Sequence, residues 1–366
     1  MSGPLSADRR WIDRALWLAR YGLGRTTPNP AVGACVVTAD GVVVGHGSTE
    51  PPGGRHAEVV ALDAAGARAD GSTLYCTLEP CPHTGRTGAC VDRIIAARVR
   101  RVVACVEDPD PRVRGRGFER LRLAGVVVDT GVLRADAVLL NLPFFTAQLQ
   151  GRPMVIAKMA VSGDARVAVA PGRRSSITSA AAIRRVQLTR AGVDAVAIGS
   201  ETLLTDDPRL DVRDLFRERP LVRAVFDRRL RTPPSARLLS TLDAGPVVVL
   251  TSVAAVERRP AALAALEAEG ALVFAEEVPS VIHLLRRLIA LDVQCVLLEG
   301  GPTLHRSAWL EGVVDVVQAY VASTCLGEAG VPAAEELLRA LPALAHARVA
   351  TCGQDALIEG YVHRID

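Results

Sequence analysis

The chain has 366 residues, of which 49% are hydrophobic, 23% charged and 4% aromatic, and its formal net charge is +3. This length predicts two domains, because a single hydrophobic core seldom grows beyond about 250–300 residues. A small net charge of mixed signs argues against a duplex nucleic acid partner. No apolar segment reaches transmembrane length without charges, so we expect no membrane partner either.

The first predicted element is an amphipathic helix near the N-terminus, with Trp11, Ala15, Leu18 and Ala19 on one face. Its charges argue against a signal peptide. Eight scattered cysteines in a long chain indicate a reducing compartment and not a disulfide framework, so we expect a cytoplasmic protein. Six of them lie in apolar runs or alone and are expected to be buried packing residues: Cys35, Cys76, Cys105, Cys295, Cys325 and Cys352.

The first half of the chain alternates strand-like and helix-like segments. Two Val-rich runs joined by Ala39-Asp40-Gly41 predict a β-hairpin. Helices are predicted in HAEVVALDAAGARA, CVDRIIAARV and RGFERLRLAG, and strands in STLYCTL, RRVVACVED and VVVDTGV. This alternation predicts a mostly buried sheet with covering helices, and the alternating pattern ends near Asn141.

A second α/β series begins after the break at Gly151-Arg152-Pro153. Strands are predicted in MVIAKMAV, AVAIG, LVRAVFD, PVVVLTS, ALVFA, CVLLEGG and VQAYVA, and helices in AAAIRRVQLTRAG and PAALAALEAEG. The Pro-rich piece RLRTPPSARLL is expected to be an ordered loop. No internal repeat links the two halves.

The segment RHAEVVAL places His56 and Glu58 two residues apart, and TLEPCPHTGRTGAC supplies Cys81 and Cys90. One histidine and two thiolates form a three-ligand set that leaves the fourth zinc position open for water, as a catalytic site requires. In zinc deaminases a glutamate that does not bind the metal passes a proton from this water to the leaving amine. Residues two apart in a helix interior point to different sides, so we expect His56 and Glu58 in a first helical turn.

Other interpretations of these residues stay open at this point. A lone H-x-E pair arises often by chance, and the same donors could hold a purely structural zinc. The pair followed by T-L-E-P-C and a second cysteine that opens the next helix is far more specific. The combination therefore favours one catalytic zinc per chain.

Four segments together resemble the pyrimidine deaminases of riboflavin biosynthesis, within the cytidine-deaminase-like superfamily: PNPAVGACVV, GGRHAEVVAL, TLEPCPHTGRTGAC and EDPDPRVRGRG. The eight residues between the two cysteines are characteristic of that family. The resemblance implies a cytidine-deaminase-like three-layer α/β domain. It also implies that Asn29 binds the pyrimidine, although it could instead be a turn residue, and that His83 and Arg86 line the pocket near the ribose phosphate.

In the second half, EGGPTL follows a predicted strand and leads into a helix. Gly300 and Gly301 would let backbone N–H groups approach a phosphate at the helix N-terminus. No G-x-G-x-x-G follows an early strand, so the standard dinucleotide fingerprint is absent. On its own, EGGPTL is a weak signal, and such a segment is more often an ordinary strand-to-helix turn.

GSETLLTDDPRLDVRD and EGGPTLHRSAWL, in this order, resemble the reductase domain fused to this deaminase in bacteria. The resemblance implies a dihydrofolate-reductase-like α/β domain that uses NADPH to reduce a ribosyl group to ribityl. The residues implied to contact NADPH are Ala160, Thr202, Asp206, Gly301, Pro302, Thr303, Leu304, His305, Arg306 and Ser307. Those implied to contact the phosphoribosylamino substrate are Arg190, Leu210, Arg213 and Glu299.

The chain departs from the family pattern at several positions. SGDAR stands where the family usually has Ser-Leu-Asp-Gly-Arg, and RRSSIT puts Ser176 where a Trp is expected. Packing against cofactor or substrate should be weaker there. In the first half, TGAC replaces Thr-Pro-Pro-Cys and Asp110 replaces an Asn, while every predicted metal and acid–base residue is intact.

The sequence thus predicts a bifunctional riboflavin-pathway enzyme, with a zinc-dependent deaminase over residues 1–148 and an NADPH-dependent reductase over residues 152–366. The substrate would be a small pyrimidine nucleotide, and the family resemblance implies a homo-oligomer. The nearest alternative is an active deaminase whose reductase is impaired or repurposed in a related specialised pathway. A nucleic-acid editing protein would need an aromatic-lined groove, which 4% aromatic residues make improbable. A non-catalytic zinc-stabilised binding module is the third alternative.

Overall fold

The computed structural model describes residues 4–83 and 88–363. The chain divides between Gln150 and Gly151 into two compact units, each with its own hydrophobic core. Within the described residues, none of the helices combines the length and the apolar character needed to cross a bilayer.

The first unit contains one sheet and six α-helices among its described residues. Its strands are β1 (Gly33–Val37), β2 (Val43–Ser48), β3 (Thr73–Cys76), β4 (Arg101–Ala104) and β5 (Val127–Thr130). Its helices are α1 (Pro4–Ala19), α2 (Ala57–Ala65), α3 (Cys90–Ala96), α4 (Arg116–Leu123), α5 (Arg134–Leu140) and α6 (Leu142–Gln150), with 3-10 turns at Arg20–Gly22 and Gly66–Ala69. The strand order is β2-β1-β3-β4-β5; β1 is antiparallel to both neighbours, and β3, β4 and β5 are parallel.

Two glycines let helices pack directly on opposite faces of this sheet. A Cβ added to Gly33 would lie 2.0 Å from the carbonyl oxygen of Ala15 in α1, and one added to Gly45 would lie 2.1 Å from that of Ala61 in α2. Gly45 pairs with Val36, three residues from Gly33, so the two glycines face opposite sides. The predicted three-layer arrangement and the predicted hairpin between β1 and β2 are both confirmed.

The core of the first unit confirms most sequence expectations about buried residues. Ala15, Leu18 and Ala19 of α1 are buried, and Trp11 is partly buried against the core.

The cysteines of both units are free, and four of the six outside the zinc motif are buried as expected: Cys35, Cys76, Cys105 and Cys295. The expectation was wrong for Cys325, which is exposed in a loop, and only partly right for Cys352, which is half-buried at a strand end.

The described residues of the second unit form a nine-stranded sheet and a separate two-stranded ribbon. Its strands are β6 (Met154–Val161), β7 (Arg166–Ala168), β8 (Ala195–Gly199), β9 (Val222–Phe226), β10 (Val247–Ser252), β11 (Leu272–Glu276), β12 (Cys295–Leu298), β13 (Val316–Val321), β14 (Val331–Pro332), β15 (Ala345–Cys352) and β16 (Asp355–Tyr361). Its helices are α7 (Ala180–Gly192), α8 (Ser200–Asp206), α9 (Val253–Arg258), α10 (Pro260–Ala268), α11 (Val281–Leu288), α12 (Pro302–Leu310) and α13 (Glu335–Ala340), with 3-10 turns at Leu239–Ala244, Ile289–Leu291 and Leu341–Ala343.

The large sheet has the order β11-β10-β9-β8-β12-β6-β13-β16-β15. Its first seven strands are parallel, and β16 and β15 add an antiparallel edge, while β7 and β14 form a separate ribbon. After β8 the chain continues to β9 on one side of the β8–β12 pair, whereas after β12 it continues to β13 on the other side. This reversal is a topological switch point at the carboxyl ends of β8 and β12.

All seven strands and both helices predicted for the second half are present, and RLRTPPSARLL is a loop whose last residue, Leu239, begins a 3-10 turn. The hairpin of β15 and β16 was not predicted. Most of β15 is exposed, so it lacks the apolar alternation that marks a strand with one buried face.

Candidate active sites

Three donor atoms from distant parts of the first unit meet at one point. The Nδ1 atom of His56 lies 3.2 Å from Sγ of Cys90 and 3.6 Å from Sγ of Cys81. All three donors lie within 4.8 Å of one another. Zinc bonds of about 2.1 Å to nitrogen and 2.3 Å to sulfur place the donors of a tetrahedral site roughly 3.5–3.8 Å apart. The donor set therefore fits a zinc ion with a fourth position left for a ligand.

Helix α2 explains how two residues with an awkward spacing serve one centre. His56 is the extended N-cap residue, and Glu58 is the second residue of the helix, as the sequence predicted. Both side chains therefore project around the helix N-terminus instead of diverging along its interior. Glu58 is 3% exposed, and burial raises the pKa of its carboxyl to about 7.

The two cysteines differ electrostatically. A hydrogen bond with the Cys90 thiol, together with the nearby His56, lowers the pKa of Cys81 to about 4 although burial opposes the shift. The interaction with Cys81 and burial raise the pKa of Cys90 well above its ordinary value. Zinc binds the thiolate form of both cysteines, so a bound ion would favour deprotonation of Cys90 as well as Cys81.

A cavity of about 240 Å³ opens beside these donors. Five residues predicted for the deaminase line it: Asn29, His56, Glu58, Cys81 and His83. Arg86, the remaining predicted pocket residue, lies outside the described residues. The sequence prediction did not assign six further polar lining residues: Thr49, Glu79, Asp108, Asp110, Arg112 and Gln148. Three of these lie in the motif EDPDPRVRGRG after β4. Because β3 and β4 are parallel neighbours, this motif lies at the same edge of the sheet as the loop after β3. That shared position could have identified the three residues from the sequence.

Glu79 fixes the EDPDPRVRGRG loop next to the cavity. Its buried carboxylate accepts hydrogen bonds from four backbone N–H groups at 2.9–3.2 Å, those of Asp108, Gly115, Gly117 and Phe118. These four hydrogen bonds, called here the Glu79 clamp, restrict the conformation of the loop and hold the cavity wall in place. Asp110 then pairs with Arg112 at 2.6 Å on the same wall.

In the second unit, a candidate cavity lies at the switch point. It has a volume of about 380 Å³ and is formed by the residues that follow β8, β9 and β12 together with α11 and α12. In open parallel sheets, ligands bind at such a crevice at the carboxyl ends of the strands. Gly301 is the N-cap of α12 and carries no side chain that could occupy the helix N-terminus. The arrangement fits a phosphate-containing cofactor.

Six of the residues predicted to contact NADPH line this cavity: Thr202, Gly301, Pro302, Thr303, Leu304 and Ser307. The other four lie outside its lining. His305 is buried with its ring nitrogen 3.1 Å from the carbonyl oxygen of Leu298, and Arg306 pairs with Glu336 at 2.9 Å. Ala160 packs beside Tyr320, and burial raises the pKa of Asp206 in α8.

Glu299 is one of the residues predicted to contact the reductase substrate, and it directly follows β12. Arg190 donates to its carboxylate from Nε at 2.6 Å and from Nη2 at 3.1 Å, and from Nη1 to the carbonyl oxygen of Asp211. Lys158 lies 3.8 Å from the same carboxylate. The sequence prediction missed Lys158, whose only signal was a single lysine within the apolar segment MVIAKMAV. The guanidinium of Arg190 keeps only its remaining N–H groups for a ligand.

Leu210 and Arg213 belong to the loop that Arg190 holds. Leu210 is 2% exposed and has a φ of +56°, a conformation that costs a leucine about 1–2 kcal/mol. The side chain of Arg213 is exposed, and its backbone N–H donates to Gln187 at 3.0 Å. Buried strain of this kind persists where surrounding contacts over-determine a loop, which is common at ligand sites.

The two segments of the second unit that depart from the family pattern lie between β6 and α7. Asp164 of SGDAR accepts the Ser162 hydroxyl at 2.5 Å and the backbone N–H groups of Leu326 and Gly327. Ser176 of RRSSIT is exposed. The clamp in SGDAR is formed by Ser162 and Asp164, which match the family pattern, while the change in RRSSIT leaves a small polar residue at the surface.

Comparison with known proteins supports two functional regions. The family model "RibD C-terminal domain" matches residues 153–358, and the model "Cytidine and deoxycytidylate deaminase zinc-binding region" matches residues 5–106. The riboflavin biosynthesis protein RibD of Aquifex aeolicus is 37% identical over 357 residues, which cover 96% of this chain and 97% of that protein. RibD of Escherichia coli is 38% identical over 335 residues, with coverages of 87% and 89%.

Solved structures of full-length relatives agree with the whole chain. Acinetobacter baumannii RibD superposes with a TM-score of 0.84 at 34% identity, covering 98% of this chain and 99% of that one. A Thermotoga maritima protein, described as a diaminohydroxyphosphoribosylaminopyrimidine deaminase and 5-amino-6-(5-phosphoribosylamino)uracil reductase, gives a TM-score of 0.82 at 30% identity with coverages of 98% and 99%.

Proposed function

Because the chain belongs to the RibD family of riboflavin biosynthesis proteins, we propose that its two sites act in sequence on one pyrimidine nucleotide. It is a bifunctional enzyme with a zinc-dependent deaminase region and an NADPH-dependent reductase region. The first substrate is 2,5-diamino-6-ribosylamino-4(3H)-pyrimidinone 5′-phosphate, and the deaminated product is the substrate of the second site. We assign the deaminase to residues 1–148 and the reductase to residues 152–366.

The observation that carries the deaminase assignment is the convergence of His56, Cys81 and Cys90 beside a cavity that Glu58 also lines. These three side chains would hold the zinc, which supplies Lewis-acid activation of a water molecule. Glu58 accepts a proton from that water and returns it to the amine as ammonia leaves. Asn29 and His83, which line the same cavity, orient the ring and its phosphoribosyl arm.

In the reductase, the residues that line the crevice after β8 and β12, Gly301 and Thr202 among them, would hold NADPH. The bound cofactor would supply a hydride for C1′ of the ribosyl group, and with uptake of one proton the ribosyl ring would open to ribityl. Glu299 and Arg190 form a rigid charged wall for the phosphoribosylamino group, and Arg213 offers an exposed guanidinium for its phosphate. The alternative of an impaired or repurposed reductase is not favoured, since the C-terminal family model spans residues 153–358.

The experiment that tests this proposal supplies the diaminopyrimidine nucleotide with and without NADPH and identifies the products by mass. Without NADPH we expect ammonia and the deaminated ribosylamino compound. With NADPH we expect a further gain of two hydrogen atoms. Absence of the second product from pure, zinc-loaded protein would favour the repurposed-reductase alternative. We further propose that the enzyme works in the cytoplasm as a homo-oligomer, which size determination in solution would test.

A further inference from the structure

We propose that Gln187 of α7 is a positioning residue of the reductase. Through one hydrogen bond it holds the loop of residues 207–214 in the conformation that presents Arg213 to the substrate. The inference rests on the proposed function, which assigns Arg213 to the phosphoribosylamino substrate. Gln187 was not among the residues that the sequence predicted for this site, and it acts on the substrate only through the loop.

The loop of residues 207–214 has a strained backbone. It contains no helix or strand, and Asp207, Leu210 and Asp214 have φ values of +40°, +56° and +61°. Residues with a side chain adopt such values rarely, because Cβ then crowds the neighbouring carbonyl oxygen. A loop of this kind keeps its conformation only while surrounding groups hold it.

Neighbouring segments hold the first part of this loop. The carboxylate of Asp207 accepts the backbone N–H of Arg237 at 2.9 Å. The carbonyl oxygen of Arg209 accepts a hydrogen bond from Arg223 at 3.3 Å, and the side chain of Leu210 is buried. These contacts fix the loop as far as Leu210, so the part that follows needs anchors of its own.

Helix α7 supplies the anchors for the second part of the loop. Nη1 of Arg190 donates to the carbonyl oxygen of Asp211 at 3.0 Å, and Oε1 of Gln187 accepts the backbone N–H of Arg213 at 3.0 Å. Gln187 and Arg190 are three residues apart, so their side chains leave the same face of the helix. One face of α7 therefore binds the loop at two neighbouring points, one through a donor and one through an acceptor.

The amide of Gln187 suits this role chemically. Gln187 is 7% exposed, so its hydrogen bond is largely shielded from competing water. An amide oxygen accepts the N–H without adding a negative charge near Glu299 or near a bound phosphate. The side chain of Arg213 is 61% exposed, and its Nε lies 3.9 Å from Asp211, beyond hydrogen-bonding distance. The backbone of Arg213 is thus held while its guanidinium stays accessible to an anion.

The hydrogen bond of Gln187 matters for substrate binding because it is made to the backbone of Arg213. Loss of the acceptor leaves this N–H unsatisfied and lets the strained loop relax beyond Asp211. A displaced guanidinium then fits the substrate phosphate less well. Gly301 and Thr202 of the cofactor crevice lie on other segments. The expected signature is therefore a raised KM for the substrate with little change in KM for NADPH.

The test measures steady-state reduction of the deaminated substrate in two variants of Gln187. Gln187→Leu has a similar size but no acceptor, whereas Gln187→Glu keeps an acceptor oxygen. In Gln187→Leu we expect KM for the substrate to rise about 5- to 50-fold, with kcat and KM for NADPH little changed. Gln187→Glu should stay within about fivefold of wild type. The matched control is Arg184→Ala, an exposed residue of the same helix, which should leave all three constants unchanged.

Limited trypsin digestion reads the conformation of the loop directly, because Arg209 and Arg213 are cleavage positions within it. Cleavage at these positions, identified by mass, should be at least about fivefold faster in Gln187→Leu than in wild type or Gln187→Glu. The temperature of thermal unfolding should be the same in all three proteins. A general loss of stability would instead lower that temperature and accelerate cleavage throughout the second unit.

Two results would overturn the proposal. One is an unchanged substrate KM and an unchanged cleavage rate in Gln187→Leu. The other is a parallel loss of NADPH binding and thermal stability in that variant, which would show a structural role alone.

Arg213→Ala separates this inference from the proposed function, since it removes the guanidinium and keeps the backbone N–H. If Arg213→Ala raises the substrate KM while Gln187→Leu does not, the assignment of Arg213 stands and the role of Gln187 is wrong. If Arg213→Ala leaves KM unchanged in an active enzyme, Arg213 does not contact the substrate and Gln187 has nothing to position. Absence of NADPH-dependent turnover in wild type would overturn the proposed function and, with it, the role of Gln187.

Discussion

The Nδ1 atom of His56 lies 3.2 Å from Sγ of Cys90, although 34 residues separate them in the chain. The contact exists because His56 caps α2 and Cys90 is the first residue of α3. Two helix N-termini therefore point at one centre from the same edge of the sheet. This geometry brings two sequence motifs that are distant along the chain together as one set of donors that fits a zinc ion.

Cys90→Ser should remove zinc from the protein and abolish deamination, because two donors alone cannot hold the ion. Since loss of an outer-shell partner already weakens metal sites about 10- to 100-fold, loss of a direct ligand should exceed that range. Zinc content is measured by atomic absorption after dialysis. Cys325→Ser, an exposed cysteine elsewhere, is the control and should keep full occupancy. Retention of zinc by Cys90→Ser would contradict the ligand assignment.

Glu58→Gln should leave zinc bound and lower ammonia release about 10²- to 10⁴-fold, the usual contribution of a general acid–base group. The amide keeps the size of the side chain but cannot accept and return the proton. Measuring zinc content and ammonia on the same preparation separates this effect from metal loss. NADPH-dependent reduction of pre-deaminated substrate should be normal in this variant. Deamination at the wild-type rate would exclude Glu58 as the proton carrier.

Glu79→Gln should impair deamination through the wall of its cavity. The carboxylate accepts four backbone N–H groups, and an amide nitrogen would face some of these donors and leave them unsatisfied, at about 1–3 kcal/mol each. We expect a raised KM with zinc retained, because the loop carrying Asp108 and Asp110 loses its anchor. Glu107→Gln, on the same loop but half-exposed, serves as the control. An unchanged KM would show that the loop keeps its position without the clamp.

Glu299→Gln should destabilise the second unit, because it leaves Arg190 and Lys158 buried without their carboxylate partner. Removing one member of a buried ion pair costs about 3–5 kcal/mol. The exposed pair of Glu335 and Arg339 supplies the control, since Glu335→Gln should change the free energy of unfolding by less than about 1 kcal/mol. Denaturant unfolding of both variants measures the difference. Equal stabilities would contradict the structural importance of the buried cluster.

The buried carboxylate of Glu299 should also make the stability of the second unit depend on pH. Burial raises the pKa of Glu299, but Arg190 and Lys158 lower it more strongly, to about 2. The folded-state pKa therefore lies below the unfolded value of about 4.3, so the ion pair stabilises the fold above that pH and loses its contribution as the pH falls toward 2. Wild type should lose about 3 kcal/mol more than Glu299→Gln over this interval. Parallel acid profiles of the two proteins would refute this expectation.

By itself, the sequence determined the order of most strands and helices along the chain, the His56, Glu58, Cys81 and Cys90 set and the family resemblance. These features depend on local periodicity and on motifs whose spacing is fixed by covalent connection. The edge strand β15 escaped prediction because exposure removes its apolar alternation. Lys158 escaped because one lysine in an apolar strand carries no spacing signal.

Only the tertiary structure decided which residues share a cavity. The Glu79 clamp joins a carboxylate to N–H groups 29 to 39 residues away, and Arg190 meets Glu299 across 109 residues. The turn after β9 lines the same crevice as the residues after β8 because β9 lies next to β8, the strand beside the switch point. Strand order is set by packing and by the path of the crossovers, and neither leaves a local pattern in the amino-acid sequence.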